Sequence, residues 1–139
     1  MVILDTNVLS ELMQQRANPL VRQWLDRQAE LSVWTTSITI FEIRYGMELL
    51  PRSRRRASLE SEFERLIEDD IQGRIVPFDA QAATVAAGLM AQRQRMGRIG
   101  DLRDTMIAGI VIACHAMLAT CNMRHFDDLS VSVVDPWAS

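Results

Sequence analysis

Five short apolar runs recur along the chain, at Val2–Asp5, Ser32–Thr35, Arg74–Pro77, Met117–Thr120 and Val131–Val134. Their length and their β-branched content read as buried strands. Between them the apolar positions fall at helical spacing. Asn18-Pro19 supplies an N-cap followed by proline at the first helical position, opening a helix to about Gln28. A second helix is expected from Ser37 to about Leu50. A third, from Arg54 to Asp70, carries Leu59, Phe63, Leu66 and Ile67 on one face and stops at Gly73. Asp79 caps a fourth through Met96, and Asp101 a fifth to about Ala116. Strands alternating with helices, the strands almost wholly apolar, predict a parallel sheet covered on both faces and joined by right-handed crossovers. Such sheets gather functional groups just beyond the carboxyl ends of their strands. Asp5 and the turn after Thr120, with Asn122, fall at two such ends.

Length and composition add bounds. The 139 residues suit one domain over 1–139, with 48% hydrophobic and 24% charged residues and no low-complexity stretch or repeat. The chain begins inside its first strand without a basic leader, and its longest apolar stretch, Met106 to Cys121, is short for a membrane span. A cytoplasmic protein with no membrane association is expected. Cys114 and Cys121, the only cysteines, read as free buried thiols, and two Cys with two His do not suggest a zinc site. The net charge of −3 is no general attraction to nucleic acid, but all 15 basic residues are arginine, the side chain that grips phosphate bidentately. Two clusters stand out: Arg52, Arg54, Arg55 and Arg56, and Arg93, Arg95 and Arg98. The second precedes Asp101 and would bring guanidinium groups toward a phosphate-bearing partner.

Two acids sit where helical spacing places apolar side chains. Glu42 shares a stripe with Ile38, Tyr45, Gly46 and Leu49, and Asp104 heads a stripe of Ile107, Ala108, Val111 and Ile112. Taken singly, Glu42 reads as a carboxylate that reaches solvent, Asp104 as a first-turn acid on the helix dipole, and Asp101 as the N-cap itself. Asp5, Glu42 and Asp104 together are three semi-buried acids from three elements. Converging carboxylates repel each other unless a cation lies between them, and an all-oxygen set suits Mg²⁺ or Mn²⁺. Phosphodiester hydrolysis is the chemistry such a site supports.

Four segments together resemble the PIN-domain nucleases: Asp5-Thr6-Asn7 after the first strand, Glu42 within Ile40–Gly46, Asp104 within Asp104–Ala108, and Leu118–Asn122 ahead of Phe126. Gly73–Asp79 and Pro136-Trp137 bring the chain nearer to the FitB-like branch of the VapC toxins of bacterial toxin–antitoxin pairs. The resemblance runs over essentially the whole chain. It implies a three-layer α/β/α sandwich around a five-stranded parallel sheet, and a Mg²⁺- or Mn²⁺-dependent endoribonuclease. Asp5, Glu42 and Asp104 would be the acidic metal site, with Thr6, Asp101 and Thr120 in support. Asn122 takes the place where many relatives carry a fourth acid. Cys121 stands where arginine is frequent. His115 and His125 match no catalytic role and read as structural or surface residues.

The resemblance also implies partners: an RNA substrate, a cognate antitoxin, a homodimer, and a toxin–antitoxin hetero-oligomer that reaches operator DNA through the antitoxin. Tyr45, Met47, Leu49 and Leu50, with Trp24, offer apolar surface for a docked helix, or else belong to the core. The alternative to the nuclease is a catalytically weak PIN-like module binding RNA or protein, a reading that rests on Asn122. A DNA or flap nuclease of related fold is disfavoured by the short chain.

Overall fold

The computed structural model describes residues 1–138. Its five strands are β1 (Val2–Leu4), β2 (Val33–Thr36), β3 (Ile75–Val76), β4 (Met117–Ala119) and β5 (Val133–Val134). All pair in parallel, in the order β3-β2-β1-β4-β5. Ile3 pairs with Trp34 on one side and Leu118 on the other. The six helices are α1 (Thr6–Leu12), α2 (Pro19–Asp26), α3 (Ser37–Glu48), α4 (Arg54–Arg65), α5 (Ala80–Arg95) and α6 (Leu102–Ala113).

The alternation of side chains along β1 divides the core in two. Val2 and Leu4 face α1 to α4, in a cluster with Leu9, Trp24, Ile43 and Phe63. Ile3 faces α5 and α6, with Ile107, Ile110, Leu118 and Phe126. The layers are therefore helix, sheet, helix, as expected. Helices α5 and α6 approach closely because residue 109 is glycine. A methyl group there would lie 2.7 Å from both the Ala82 carbonyl oxygen and the Ala86 Cβ.

The helix caps follow the sequence. Asn18, Asp79 and Asp101 each accept a backbone N–H of the turn they open, and Ser53 does the same for α4. The third helix continues past Arg65 as a wider turn over Leu66–Ile71 and ends at Gln72 (φ +53°) and Gly73 (φ +71°). Helix α1 is an addition to the expected elements. Val8, Leu9 and Leu12 are its buried face, but seven residues directly after a strand offer too short a period to distinguish from a turn.

Two readings of individual positions are corrected, those of the α3 stripe and of Cys114 and Cys121, and for Trp24 and Met47 the core alternative holds. The buried stripe of α3 is Thr39, Ile43 and Met47, so Glu42 stands at its border, while Tyr45 and Leu49 face outward. Cys121 is exposed and Cys114 half-buried, both as free thiols, because residue 121 lies in the turn beyond β4 rather than in the strand. Among the described residues, no helix is long and apolar enough to cross a membrane.

Candidate active site

From β1 the chain winds outward through β2 and β3, then crosses to the other side of β1 for β4 and β5, so a crevice opens between the carboxyl ends of β1 and β4. Asp5 sits in it as the N-cap of α1, 1% exposed. Its backbone N–H continues the sheet by donating to the Ala119 carbonyl at 2.9 Å. Three donors hold its carboxylate: the Thr6 N–H to Oδ1 at 2.8 Å, and Asn7 Nδ2 and Thr120 Oγ1 to Oδ2 at 3.0 and 2.7 Å.

Thr120 is saturated. Its one hydroxyl proton goes to Asp5, and its oxygen accepts from Asn7 Nδ2 at 3.1 Å and from the Asn122 N–H at 3.0 Å. Asn7 in turn accepts the Cys121 N–H at 3.1 Å. The turn after β4 is thus tied to the turn after β1 through two small polar side chains. Asn7 was visible in the sequence only as the third member of Asp5-Thr6-Asn7, and its bridging role depends on the β1–β4 pairing.

Glu42 reaches the same crevice from α3. Thr6 Oγ1 donates to its Oε1 at 3.1 Å and is itself 3.0 Å from Thr39 Oγ1. Asp104 arrives from the first turn of α6, where Asp101 accepts its backbone N–H at 3.1 Å. Asp101 is exposed and serves as the cap. Two residues absent from the expected site join here. His125 Nδ1 lies 2.8 Å from Asp104 Oδ2, and the Arg103 Nε lies 3.9 Å from Glu42 Oε2. His125 is a surface residue as expected, yet it touches the acid pocket. Asn122 supplies its backbone N–H to Thr120, and among the described residues its side chain is hydrogen-bonded to none of the three acids. Cys121 Sγ contacts its Oδ1 at 3.7 Å.

The second arginine cluster is largely committed elsewhere. Arg93 is 3% exposed and donates to both oxygens of Asp128 at 2.8 Å, to Thr105 Oγ1, and to the His125 carbonyl. It anchors the segment that carries His125 and is not a surface contact for RNA. Arg98 is paired with Asp127 at 2.7 Å. Arg95 is exposed. Beside Asp104 a cavity of about 130 Å³ is lined by Arg98, Gly100, Asp101, Arg124 and His125, among others.

The electrostatics record the convergence. Burial pushes the Asp5 carboxyl above its ordinary value; its hydrogen bonds to Thr120 and Thr6 oppose this, and the charge of Asp104 adds to it. Burial likewise raises Glu42, the Thr6 hydrogen bond and Arg103 pull it back, and Asp5 and Asp104 push it up. An acid raised in the folded state favours folding while it is protonated. That contribution is full below the unfolded values, near 3.8 for Asp5 and 4.5 for Glu42, and is lost as pH climbs through the raised values. Asp128, lowered chiefly by its Arg93 hydrogen bonds, acts in the opposite sense and in a lower window. In EDTA, the urea midpoint is therefore expected to fall as pH rises from about 4.5 toward neutrality. Asp5→Asn is expected to flatten that fall; an equal slope in both chains would show that Asp5 carries none of it.

A hard divalent cation suits this donor set. Each acid retains oxygen lone pairs that its hydrogen-bond partners leave open, and positive charge would relieve the repulsion that raises Asp5 and Glu42. Among the described residues, no three His, Cys, Asp or Glu side chains already form an ion cage.

The PIN domain family pattern matches residues 2–131, and the chain belongs to that family. It is 32% identical over 137 residues to the VapC ribonuclease Y4jK of Sinorhizobium fredii, covering 99% of this chain and 98% of that protein. Toxin FitB of Neisseria gonorrhoeae is 31% identical over 137 residues, with 99% of each chain covered. The solved structure of FitAB bound to an IR36 DNA fragment superposes with a TM-score of 0.88 at 31% identity, over 99% of this chain and 96% of that one.

Proposed function

We propose that this chain is the ribonuclease toxin of a toxin–antitoxin pair, hydrolysing RNA phosphodiester bonds with Mg²⁺ or Mn²⁺ held at Asp5, Asp104 and Glu42. The observation that carries the proposal is that Thr6 ties two of these acids together at the carboxyl end of β1, its N–H donating to Asp5 Oδ1 at 2.8 Å and its hydroxyl to Glu42 Oε1 at 3.1 Å, with the charge of Asp104 raising both. The likeness to a VapC ribonuclease and to a toxin over nearly the full chain supports the same reading.

When bound, the ion would neutralise charge on the phosphate and acidify a water. The chain's own residues do the rest. Thr120, Asn7 and the Thr6 N–H fix the orientation of the Asp5 carboxylate. The Thr6 hydroxyl fixes Glu42, whose raised carboxyl is placed to take a proton from the attacking water. His125 Nδ1 holds Oδ2 of Asp104 at 2.8 Å. No serine, cysteine or lysine nucleophile is needed, so the reaction proceeds without a covalent intermediate. Its products carry 5′-phosphate and 3′-hydroxyl ends.

A cognate antitoxin, which would close this crevice and carry the complex to operator DNA, is part of the proposal. Phe41 and Tyr45 stack in parallel with centroids 6.1 Å apart on the outer face of α3, next to exposed Leu49, an apolar surface on the helix that bears Glu42. The test is digestion of structured RNAs by the purified chain. Cleavage in Mg²⁺ or Mn²⁺, none in EDTA, and suppression by the co-expressed antitoxin are expected. RNA bound but left whole in both metals would overturn the nuclease in favour of a binding module.

A further inference from the structure

The crevice that accepts a phosphodiester is walled by three carboxylates, and an anionic substrate must meet positive charge there. Two of the arginines nearby are already taken, and a third, Arg124, lines the cavity beside Asp104. Arg93 and Arg98 bind Asp128 and Asp127 at 2.8 and 2.7 Å. Arg103 differs. It precedes Asp104 in the first turn of α6, and its side chain leans across the crevice toward Glu42 on α3. The Nε to Oε2 distance of 3.9 Å is too long for a hydrogen bond. Among the described residues the guanidinium makes no hydrogen bond at all, and the side chain is 41% exposed. A planar group with five donors and no hydrogen-bonded acceptor thus stands beside Glu42, held there only by the 3.9 Å ion pair.

From this placement we propose that Arg103 is the phosphate clamp of the site, a guanidinium that binds the RNA backbone beside the bond to be cut; the proposal rests on the ribonuclease reading above. In the free chain Arg103 screens Glu42 through space. With RNA bound, its fork engages phosphate oxygens bidentately, in the manner that distinguishes arginine from lysine. The loose contact to Glu42 makes this exchange inexpensive, since no hydrogen bond is broken to form the new ones. The clamp also offsets the repulsion between the acids and the incoming phosphate, which the ion alone would otherwise have to overcome.

The test uses the full chain with Asp5→Asn to prevent cutting, a fluorescently labelled RNA hairpin as probe, and Mg²⁺ present. Affinity is measured over a range of salt. Adding Arg103→Ala is expected to weaken binding about tenfold. It is also expected to reduce the slope of log Kd against log salt by about 0.7 to 0.9, the loss of one phosphate contact. Arg103→Lys should keep the slope, because the charge remains, while losing part of the affinity. Circular dichroism establishes that each variant is folded. Unchanged affinity and slope in Arg103→Ala would overturn the clamp while leaving the nuclease standing. Tighter binding in Arg103→Ala would overturn it too, by making Arg103 an internal counter-ion of the acids. If the Asp5→Asn chain with Arg103 intact binds no RNA, while the natural chain still cuts it, the clamp falls alone; if the natural chain also cuts nothing, both fall.

Discussion

Replacing Asp5 by asparagine is expected to lower RNA cleavage by about two to three orders of magnitude, the usual loss when one preorganised electrostatic group leaves an active site, in a chain that remains folded. The two effects separate because asparagine matches aspartate in size and is itself a good N-cap. Its oxygen can still accept the Thr6 N–H that Asp5 Oδ1 accepts at 2.8 Å. Its amide then confronts two donors, Asn7 Nδ2 and the Thr120 hydroxyl. Thr120 cannot simply turn, because both its acceptor positions are filled by Asn7 and the Asn122 N–H. Each mismatched contact of this kind costs about 1 kcal/mol or somewhat more. Against that, a buried charge next to Asp104 has been removed. Near-parental thermal stability with lost cleavage is the expected pair of results, read from a melting curve and an RNA digest. Asp5→Ala would confuse the two, since it abolishes the cap and strands three donors. Persistent cleavage by Asp5→Asn would remove the carboxylate from the chemistry.

The acids are legible in the sequence because a carboxylate at a strand exit or within an apolar stretch conflicts with its surroundings. Asp5 and Asp104 stood out for that reason, and both lie in the crevice. Glu42 lies on a stripe that the sequence and the fold assign differently. The stripe through Tyr45 and Leu49 looked inward, but those residues are exposed and Thr39, Ile43 and Met47 are the buried ones. A threonine on the inner face weakened the apolar signal. What remained hidden depends on pairing between distant strands. Asn7 bridges to Thr120 only because β1 lies beside β4. His125 meets Asp104 only because the segment after β4 folds back over α6. Helix α1 escaped notice because seven residues carry barely two turns of period. Arginine posed a different difficulty. Arg93 and Arg98 looked alike in a cluster, and nothing local indicated that Arg93 would be buried against Asp128, 35 residues away.

Arg93→Ala is expected to be the most destabilising of these substitutions, by about 3 kcal/mol, near the lower end of the range for breaking a buried ion pair because Asp128 retains some contact with water. For a chain of this length that lowers the melting temperature by roughly 10 °C. The cost has identifiable parts. The guanidinium is 3% exposed and satisfies both Asp128 oxygens, the Thr105 hydroxyl and the His125 carbonyl at once. Without it the Asp128 carboxylate loses the partner that lowers its pKa, and two further polar groups lose a donor. Arg95→Ala, two residues away and exposed, should change stability by no more than about 0.5 kcal/mol. Because Arg93 ties α5 to the segment bearing His125, the damage extends to the site as well. Arg93→Ala should cut RNA more slowly even at temperatures where it is fully folded, since the contact of His125 with Asp104 is no longer held in place. Urea denaturation of the two alanine variants, compared with the parent, measures the first effect. Digestion rates taken well below each melting temperature measure the second. If both variants unfold at the same midpoint, Arg93 is not the anchor its four contacts describe.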